Sequence, residues 1–247
     1  MDNLFDNKNK IYKKYIQDIG DGFCPFRKEF QMEVIESHLA EDLRNRKGLK
    51  ILEACCGQGR FLYYLNKFAP NQQFTGFDYV RDFVEDAKKL FSDDKNISFF
   101  EADLYNLPDS LESQYDFVFL YKTLGYIPDY QRVIKNLIFL AKEKIYITAS
   151  LYEGEIDFEI KIKPYKQMKS EDDYVIYYIM SKPRLKKFVR DLGVTGVNFY
   201  PMKFPDDLPK SNNPDELSTY TFRGENGENL EINNIIRLDW FLIEIDI

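Results

Sequence analysis

Ile51-Leu-Glu-Ala-Cys-Cys-Gly-Gln-Gly-Arg60 is an apolar run that passes through two alternating glycines straight into a helical pattern. The spacing predicts a strand over 50–54, a tight turn, and a helix over 60–68 that buries Phe61, Leu62, Leu65 and Phe68. A turn of this kind lets backbone approach a ligand closely and aims a helix N-terminus at it.

Working outward, strands and helices alternate. Strands are expected over 73–77, 97–100, 116–121 and 144–149, with helices over about 81–91 and 130–142. The run 116–121 is apolar nearly throughout, as a parallel strand covered on both faces should be. Upstream, Met32, Ile35, Leu39 and Leu43 recur at helical spacing, and the N-terminal stretch through Lys47 reads as helical. After Ser150 the pattern changes. Strands are expected over 156–162 and 174–180, a helix over 182–192 stopped by Gly193, and a sixth sheet strand over 197–201. Segments 217–223 and 229–232 read as a hairpin about Asn226-Gly227, whose turn needs positive φ. The segment 235–247 closes the chain as a strand antiparallel to its neighbours. The expected fold is α/β: a Rossmann-like, seven-stranded, mostly parallel sheet with an antiparallel C-terminal strand and helices on both faces. One domain is expected over 1–247, with a helical lid at 1–47, a cofactor-binding core at 48–150 and substrate-side insertions and terminal strands at 151–247.

Three acids stand at matched strand ends. Glu53 lies in the first strand, Asp78 ends the second in Thr-Gly-Phe-Asp-Tyr79, and Asp103 follows the third in Glu-Ala-Asp-Leu104. Asp78 is placed to accept both hydroxyl hydrogens of a ribose, and ligands of such sheets bind beyond the carboxyl ends of the strands. Asp103 suits an adenine amino group and Leu104 a purine face, although Asp-Leu-Tyr-Asn106 is equally good turn chemistry.

With these positions quoted, residues 50 to about 150 resemble the cofactor domain of class I S-adenosylmethionine-dependent methyltransferases. Glu53, Cys55, Gly57 and Gly59 occupy the family's acidic-then-glycine loop, with Cys55 in place of its usual first Gly. Asp78 matches its ribose acid, and Asp103 with Leu104 its adenine contacts; Ala54, Tyr79 and Tyr121 complete the expected cofactor set. The resemblance implies S-adenosyl-L-methionine as methyl donor, S-adenosyl-L-homocysteine as product, and direct in-line displacement in which the enzyme supplies position and electrostatics. A nicotinamide fingerprint needs a third small residue where this chain has Leu62, which argues against NAD.

The chain has 247 residues, 44% hydrophobic and 30% charged, with a net charge of −7. The acidic balance makes nucleic acid an unlikely partner. No apolar run is long enough to span a bilayer, and the start lacks the features of a signal peptide. Three cysteines, at 24, 55 and 56, do not form a disulfide framework. The expected location is cytoplasmic.

The acceptor is less legible. Leu120-Tyr-Lys-Thr-Leu124 replaces the Asn/Asp-Pro-Pro-aromatic loop of amine and amide methyltransferases, and Lys122 would repel a metal at that position, so no metal is expected. A pocket lined by Tyr121, Lys122, Tyr126 and Tyr152, under a lid bearing Tyr12, Tyr15, Phe26 and Arg27, is the expected acceptor site; Tyr15, Arg27, Lys122, Tyr126 and Tyr152 form its substrate-binding set. Lys122 and Arg27 suit an anionic acceptor. His38, the chain's one histidine, is the first general-base candidate, with Lys122 and Tyr126 as the other catalytic candidates. The expected activity is methyl transfer to oxygen of a small acceptor, such as a sugar or phosphate-bearing precursor of a cell-surface polymer. Two alternatives stand beside it: an RNA or protein methyltransferase, and a cofactor-fold partner subunit without catalysis. The insertions at 156–180 and 217–232 could cover the acceptor or build a homodimer contact.

Overall fold

Along β1 (Lys50–Ala54) the side chains alternate between two separate cores, and the rest of the sheet repeats that division. The computed structural model describes residues 30–162, 174–203, 219–227, 229–233 and 238–247. Tyr12, Tyr15, Cys24, Phe26 and Arg27 lie outside these residues, as does part of each late insertion. The remaining strands are β2 (Gln73–Asp78), β3 (Ile97–Glu101), β4 (Tyr115–Leu120), β5 (Ala141–Tyr152), β6 (Phe158–Ile162), β7 (Val175–Ser181), β8 (Gly196–Met202), β9 (Thr219–Arg223), β10 (Asn229–Asn233) and β11 (Asp239–Asp246).

Seven of them form the main sheet in the order β3-β2-β1-β4-β5-β11-β8. β1 to β5 run parallel, and β11 lies antiparallel between β5 and β8, as the terminal segment was expected to. Helices α1 (Phe30–Asn45), α2 (Arg60–Phe68) and α3 (Arg81–Leu90) cover one face, packing Met32, Ile35, Leu39, Phe61, Leu65 and Val84 on Ile51, Phe74, Phe117 and Leu242. On the other face α4 (Tyr130–Leu140) and α5 (Lys182–Asp191) pack Val133, Leu137 and Leu185 on Leu52, Val118, Ile145 and Ile243. Among the described residues no helix is long and apolar enough to cross a membrane.

One strand differs from expectation at both ends. β5 begins at Ala141, straight out of α4, because a bulge sets Ala141 against Tyr115 and Lys144 against Phe117 and so accommodates the polar Lys142-Glu143 pair. β5 also runs on to Tyr152, where its last two residues pair in parallel with Met180 and Ser181 of β7. β6 and β7 thus form an antiparallel spur on the end of β5. The hairpin β9–β10 is a separate two-stranded sheet, and Gly227 adopts the positive φ of 77° that its turn requires.

α1 is fastened to the sheet by polar contacts as well as by its apolar stripe. Gln72 donates to the carbonyls of Leu43 and Arg46 and accepts from the Leu49 amide, fixing the turn from α1 into β1. Further along the face, His38 Nε2 lies 2.8 Å from Glu244 Oε2 on β11, and Lys144 Nζ stands 3.3 Å from the same oxygen. The His38 contact foremost, and Lys144 after it, hold the Glu244 carboxyl down at about 2. A depressed carboxylate stabilises the fold above its ordinary value of 4.5, and that stabilisation drains away as pH falls toward about 2. His38→Ala should therefore cost about 2 kcal/mol at neutral pH and raise the midpoint of acid unfolding. Chemical denaturation at pH 7 and an acid titration followed by circular dichroism measure both.

Candidate functional site

The chain leaves β1 through three residues of positive φ: Cys55 at 58°, Gly57 at 53° and Gly59 at 79°. Each has a different setting. A Cβ on Gly57 would meet nothing within 4 Å, so its backbone faces open space from which a ligand can approach. A Cβ on Gly59 would lie 2.5 Å from the Phe99 ring, so glycine is needed there for α2 to start against β3. Cys55 carries a side chain in a conformation that disfavours one, a strain of order 1 kcal/mol. Burial foremost, then the nearby Asp78, Glu53 and Asp103 carboxyls, pushes its thiol pKa up. Cys56 is pushed up the same way, which disfavours the thiolate form of both.

Asp78 locks this loop to the next one. Its Oδ2 accepts from the Gly57 amide at 2.9 Å and its Oδ1 from the Val80 amide at 2.9 Å. Cys56 adds a backbone bond to the Phe77 carbonyl. Glu53 is buried under the same loop, accepts from the Leu62 amide of α2, and keeps Oε2 buried without a partner among the described residues. Burial, and secondarily Asp78, raises the Glu53 pKa well above that of an ordinary carboxyl; burial likewise raises Asp78 against three amide donors. Two buried acids close enough to repel, with one unsatisfied oxygen and an open glycine backbone beside them, fit a ligand that brings both hydroxyl donors and positive charge.

After β3, Asp103 closes a side-chain turn. Oδ1 accepts from the Tyr105 amide and Oδ2 from Asn106 Nδ2. The turn-chemistry reading is thus realised, and the exposed carboxylate retains lone pairs for a further donor. Leu104 is 4% exposed and lies in the core beneath α4. Asn136 of α4 holds the Leu104 carbonyl, and Arg132 that of Tyr105. Ala54 is buried at the end of β1, whereas Tyr79 is 40% exposed beyond Asp78.

At the end of β4, Tyr121 stacks on Phe61 with centroids 4.5 Å apart and planes 5° from parallel. Lys122 follows with φ 55°, a left-handed conformation steadied by a 2.7 Å bond from its amide to the buried Thr148 hydroxyl of β5. Its ammonium sits 5.9 Å from the Tyr121 ring and 5.8 Å from that of Trp240. Trp240 Nε1 is buried without a partner among the described residues. Tyr126 stands edge-on to Tyr177, whose buried hydroxyl bonds to Ser150 and whose pKa rises to about 12, chiefly through burial. Tyr152 lies further out, edge-on to Phe158.

The loop residues, Asp78 and Asp103 therefore gather at the carboxyl ends of β1 to β3, with Tyr121, Lys122 and Tyr126 beside them after β4. His38 is not among them. The rings of Phe61, Phe119 and Tyr146 stand between it and Tyr121, and its Nε2 is taken by Glu244. Sequence reasoning passed over Gly76, Thr148, Tyr177 and Trp240. Only Gly76, a glycine inside a strand, carried a local signal of close approach.

Residues 45–206 match the family described as "Methyltransferase domain", about two thirds of the chain. A curated demethylmenaquinone methyltransferase of Staphylococcus aureus (strain JH9) is 29% identical over 108 residues, 43% of this chain and 44% of that protein; the match spans less than half of either. The Burkholderia thailandensis 1,6-didemethyltoxoflavin-N1-methyltransferase, solved with its substrate and S-adenosylhomocysteine, superposes with a TM-score of 0.61 at 14% identity, covering 98% of this chain and 89% of that one. The magnesium protoporphyrin IX methyltransferase of Synechocystis PCC 6803, solved with S-adenosylhomocysteine, gives 0.56 at 13% identity, covering 96% and 94%. The chain belongs to the methyltransferase-domain family, the Rossmann-like class whose methyl donor is S-adenosylmethionine.

Proposed function

We propose that this protein methylates a small anionic acceptor on oxygen, using S-adenosylmethionine. Donor and acceptor halves of the site rest on different observations. On the donor side, Asp78 would accept from the ribose hydroxyls, Asp103 from the adenine amino group, and the unpartnered Glu53 oxygen would face the cationic methionine end. When bound, the donor supplies an electrophilic methyl group on a sulfonium; the chain's part is to orient it and keep water out. The open backbone at Gly57 leaves room for that approach.

The observation that carries the acceptor reading is Lys122. A cation held in a strained backbone conformation at the end of β4, against two aromatic rings, supports capture of an oxygen anion. An anionic oxygen is already a nucleophile, so no base is required, which accords with the engagement of His38 by Glu244. Tyr126 and Tyr152 would line the mouth. The small size of the acceptors named for the relatives, a demethylmenaquinone, a toxoflavin precursor and a magnesium porphyrin, supports a small molecule over RNA or protein. A sugar- or phosphate-bearing precursor of a cell-surface polymer remains within this class, as does a carboxylate.

Titration calorimetry should register S-adenosylmethionine binding by the wild-type protein, weakened about 100-fold in Asp78→Ala. An absence of wild-type binding would overturn the reading. Because burial raises the Glu53 and Asp78 pKa values in the free protein, a cationic donor should release protons on binding, and its affinity should climb as pH rises above the ordinary carboxylate range. Affinity that is flat with pH would remove the two acids from the donor site. In a panel of small carboxylates and sugar phosphates assayed by S-adenosylhomocysteine release, Lys122→Ala should raise acceptor KM about tenfold and leave donor affinity unchanged. Unchanged acceptor kinetics in that variant would sink the anion reading.

A further inference from the structure

The spur beyond β5 ends in a strand whose outer side has no ladder partner among the described residues: β6 pairs with β7 alone. Around it the surface is unusually apolar. Of the six large hydrophobic residues that are exposed among those described, Tyr152 (37%), Ile156 (54%) and Phe158 (38%) fall within seven positions of one another at the entrance to β6. The strand itself, Phe158-Glu-Ile-Lys-Ile162, alternates strictly. Its even residues share a face, where Ile160 and Ile162 lean on Tyr177, Ile179 and Leu238. Its odd residues, Glu159 and Lys161, share the other.

Across the existing ladder the two charges find no opposite charge. β7 sets Tyr178 against Glu159 and Ile176 against Lys161. Lys161 instead rests its ammonium 3.6 Å from the Tyr174 ring. A free edge of this kind is ordinarily blunted by its charges, since like charges meet when two edges approach. Here the order of the charges has the opposite consequence. In an antiparallel pairing of β6 with a second β6 about a twofold axis at Ile160, Glu159 of each copy stands opposite Lys161 of the other. Phe158 stands opposite Ile162, and Ile160 meets itself. Charge and apolar pattern are both self-complementary in this one register; a shift by a single residue sets charged side chains on the apolar face.

We propose that β6 is the interface of a homodimer, formed by antiparallel pairing of this strand with its own copy about Ile160. The exposed Phe158 and its neighbours Tyr152 and Ile156 flank the ladder and are covered by it. The apolar face of the spur becomes continuous across the axis, beside Tyr126. The pairing depends on β6 alone and not on the methyl donor, so it stands or falls independently of the proposed chemistry. A five-residue ladder with a small apolar flank is at the low end of specific interfaces, so dissociation in the micromolar range is expected.

Sedimentation velocity over about 1–100 µM tests it. The wild-type chain should pass from monomer to dimer. Glu159→Lys places lysine against lysine twice and should raise the dissociation constant roughly tenfold or more, whereas Glu159→Lys combined with Lys161→Glu restores both pairs and should return it to within about threefold of wild type. Thermal melts of the dilute proteins check that the variants remain folded. Ile160→Cys should form a disulfide-linked dimer under mild oxidation at a rate that the wild type, with its own cysteines, and Glu159→Cys do not match. A wild-type monomer throughout the range, a dimer indifferent to Glu159→Lys, failure of the double variant to recover, or equal cross-linking at 159 and 160 would each overturn the proposal.

Discussion

The double grip of Asp78 is the contact on which the site depends. One carboxylate takes the amide of Gly57 from the loop after β1 and the amide of Val80 from the loop after β2. Both loops are thereby fixed relative to one another at the mouth of the sheet, and α2 and α3 start from positions set by that side chain. Burial works against it, raising the Asp78 pKa, and the amide donors work the other way. The protein thus maintains a partly strained acid at its centre. The two amide bonds to Asp78 leave further lone pairs on the same oxygens, as the proposed donor contact requires.

The two acidic centres of the molecule behave in opposite ways for a physical reason. Glu244 is surrounded by His38 and Lys144 and is driven toward the charged form. Glu53 and Asp78 have burial as their leading influence and are driven toward the neutral form. Compensated charge stabilises a fold, and uncompensated buried charge marks a place where a ligand completes the electrostatics. On that criterion His38, for all that a lone histidine invites a catalytic role, forms part of the clamp between α1 and β11, and the carboxyl ends of β1 and β2 are the place where the proposed donor would complete the electrostatics.

The features legible in the sequence were those with a local cause. The strand β4 announces itself because a strand covered on both faces must be apolar along its length, and the stripe Met32, Ile35, Leu39 and Leu43 because a helix on a sheet must be apolar at its own period. Asp78 was legible because acid, strand end and following helix are adjacent. What escaped depends on residues far apart in the chain. Lys122 owes its backbone conformation to Thr148, and its aromatic setting to Trp240, which reaches it only because β11 inserts between β5 and β8. The bulge that starts β5 at Ala141 is likewise a property of the pairing with Tyr115 and not of the polar residues it absorbs. Asp103 is intermediate: its residue types allowed both turn and ligand roles, and the turn is built in a form that leaves the second available.

Leu62 illustrates how one local rule is met by a different residue. Dinucleotide folds place a small side chain at this helix position so that helix and strand can approach, and a leucine there reads as an obstacle. Yet Leu62 is fully buried, with α2 seated on the sheet. The space is made from the other side: a Cβ on Gly76 of β2 would lie 2.9 Å from the Leu62 methyl and 2.7 Å from Cys56 Sγ. The missing side chain has moved from the helix to the strand. The close approach that the fold demands is therefore satisfied by the pair Leu62–Gly76, with Cys56 filling the remaining gap beneath the loop. It follows that Leu62 does not by itself keep this sheet from holding a nucleotide. The distinction from a dinucleotide site rests on what surrounds the loop: Glu53 is buried with one oxygen unpartnered among the described residues, and its ionisation would be favoured by a cationic ligand and opposed by a diphosphate.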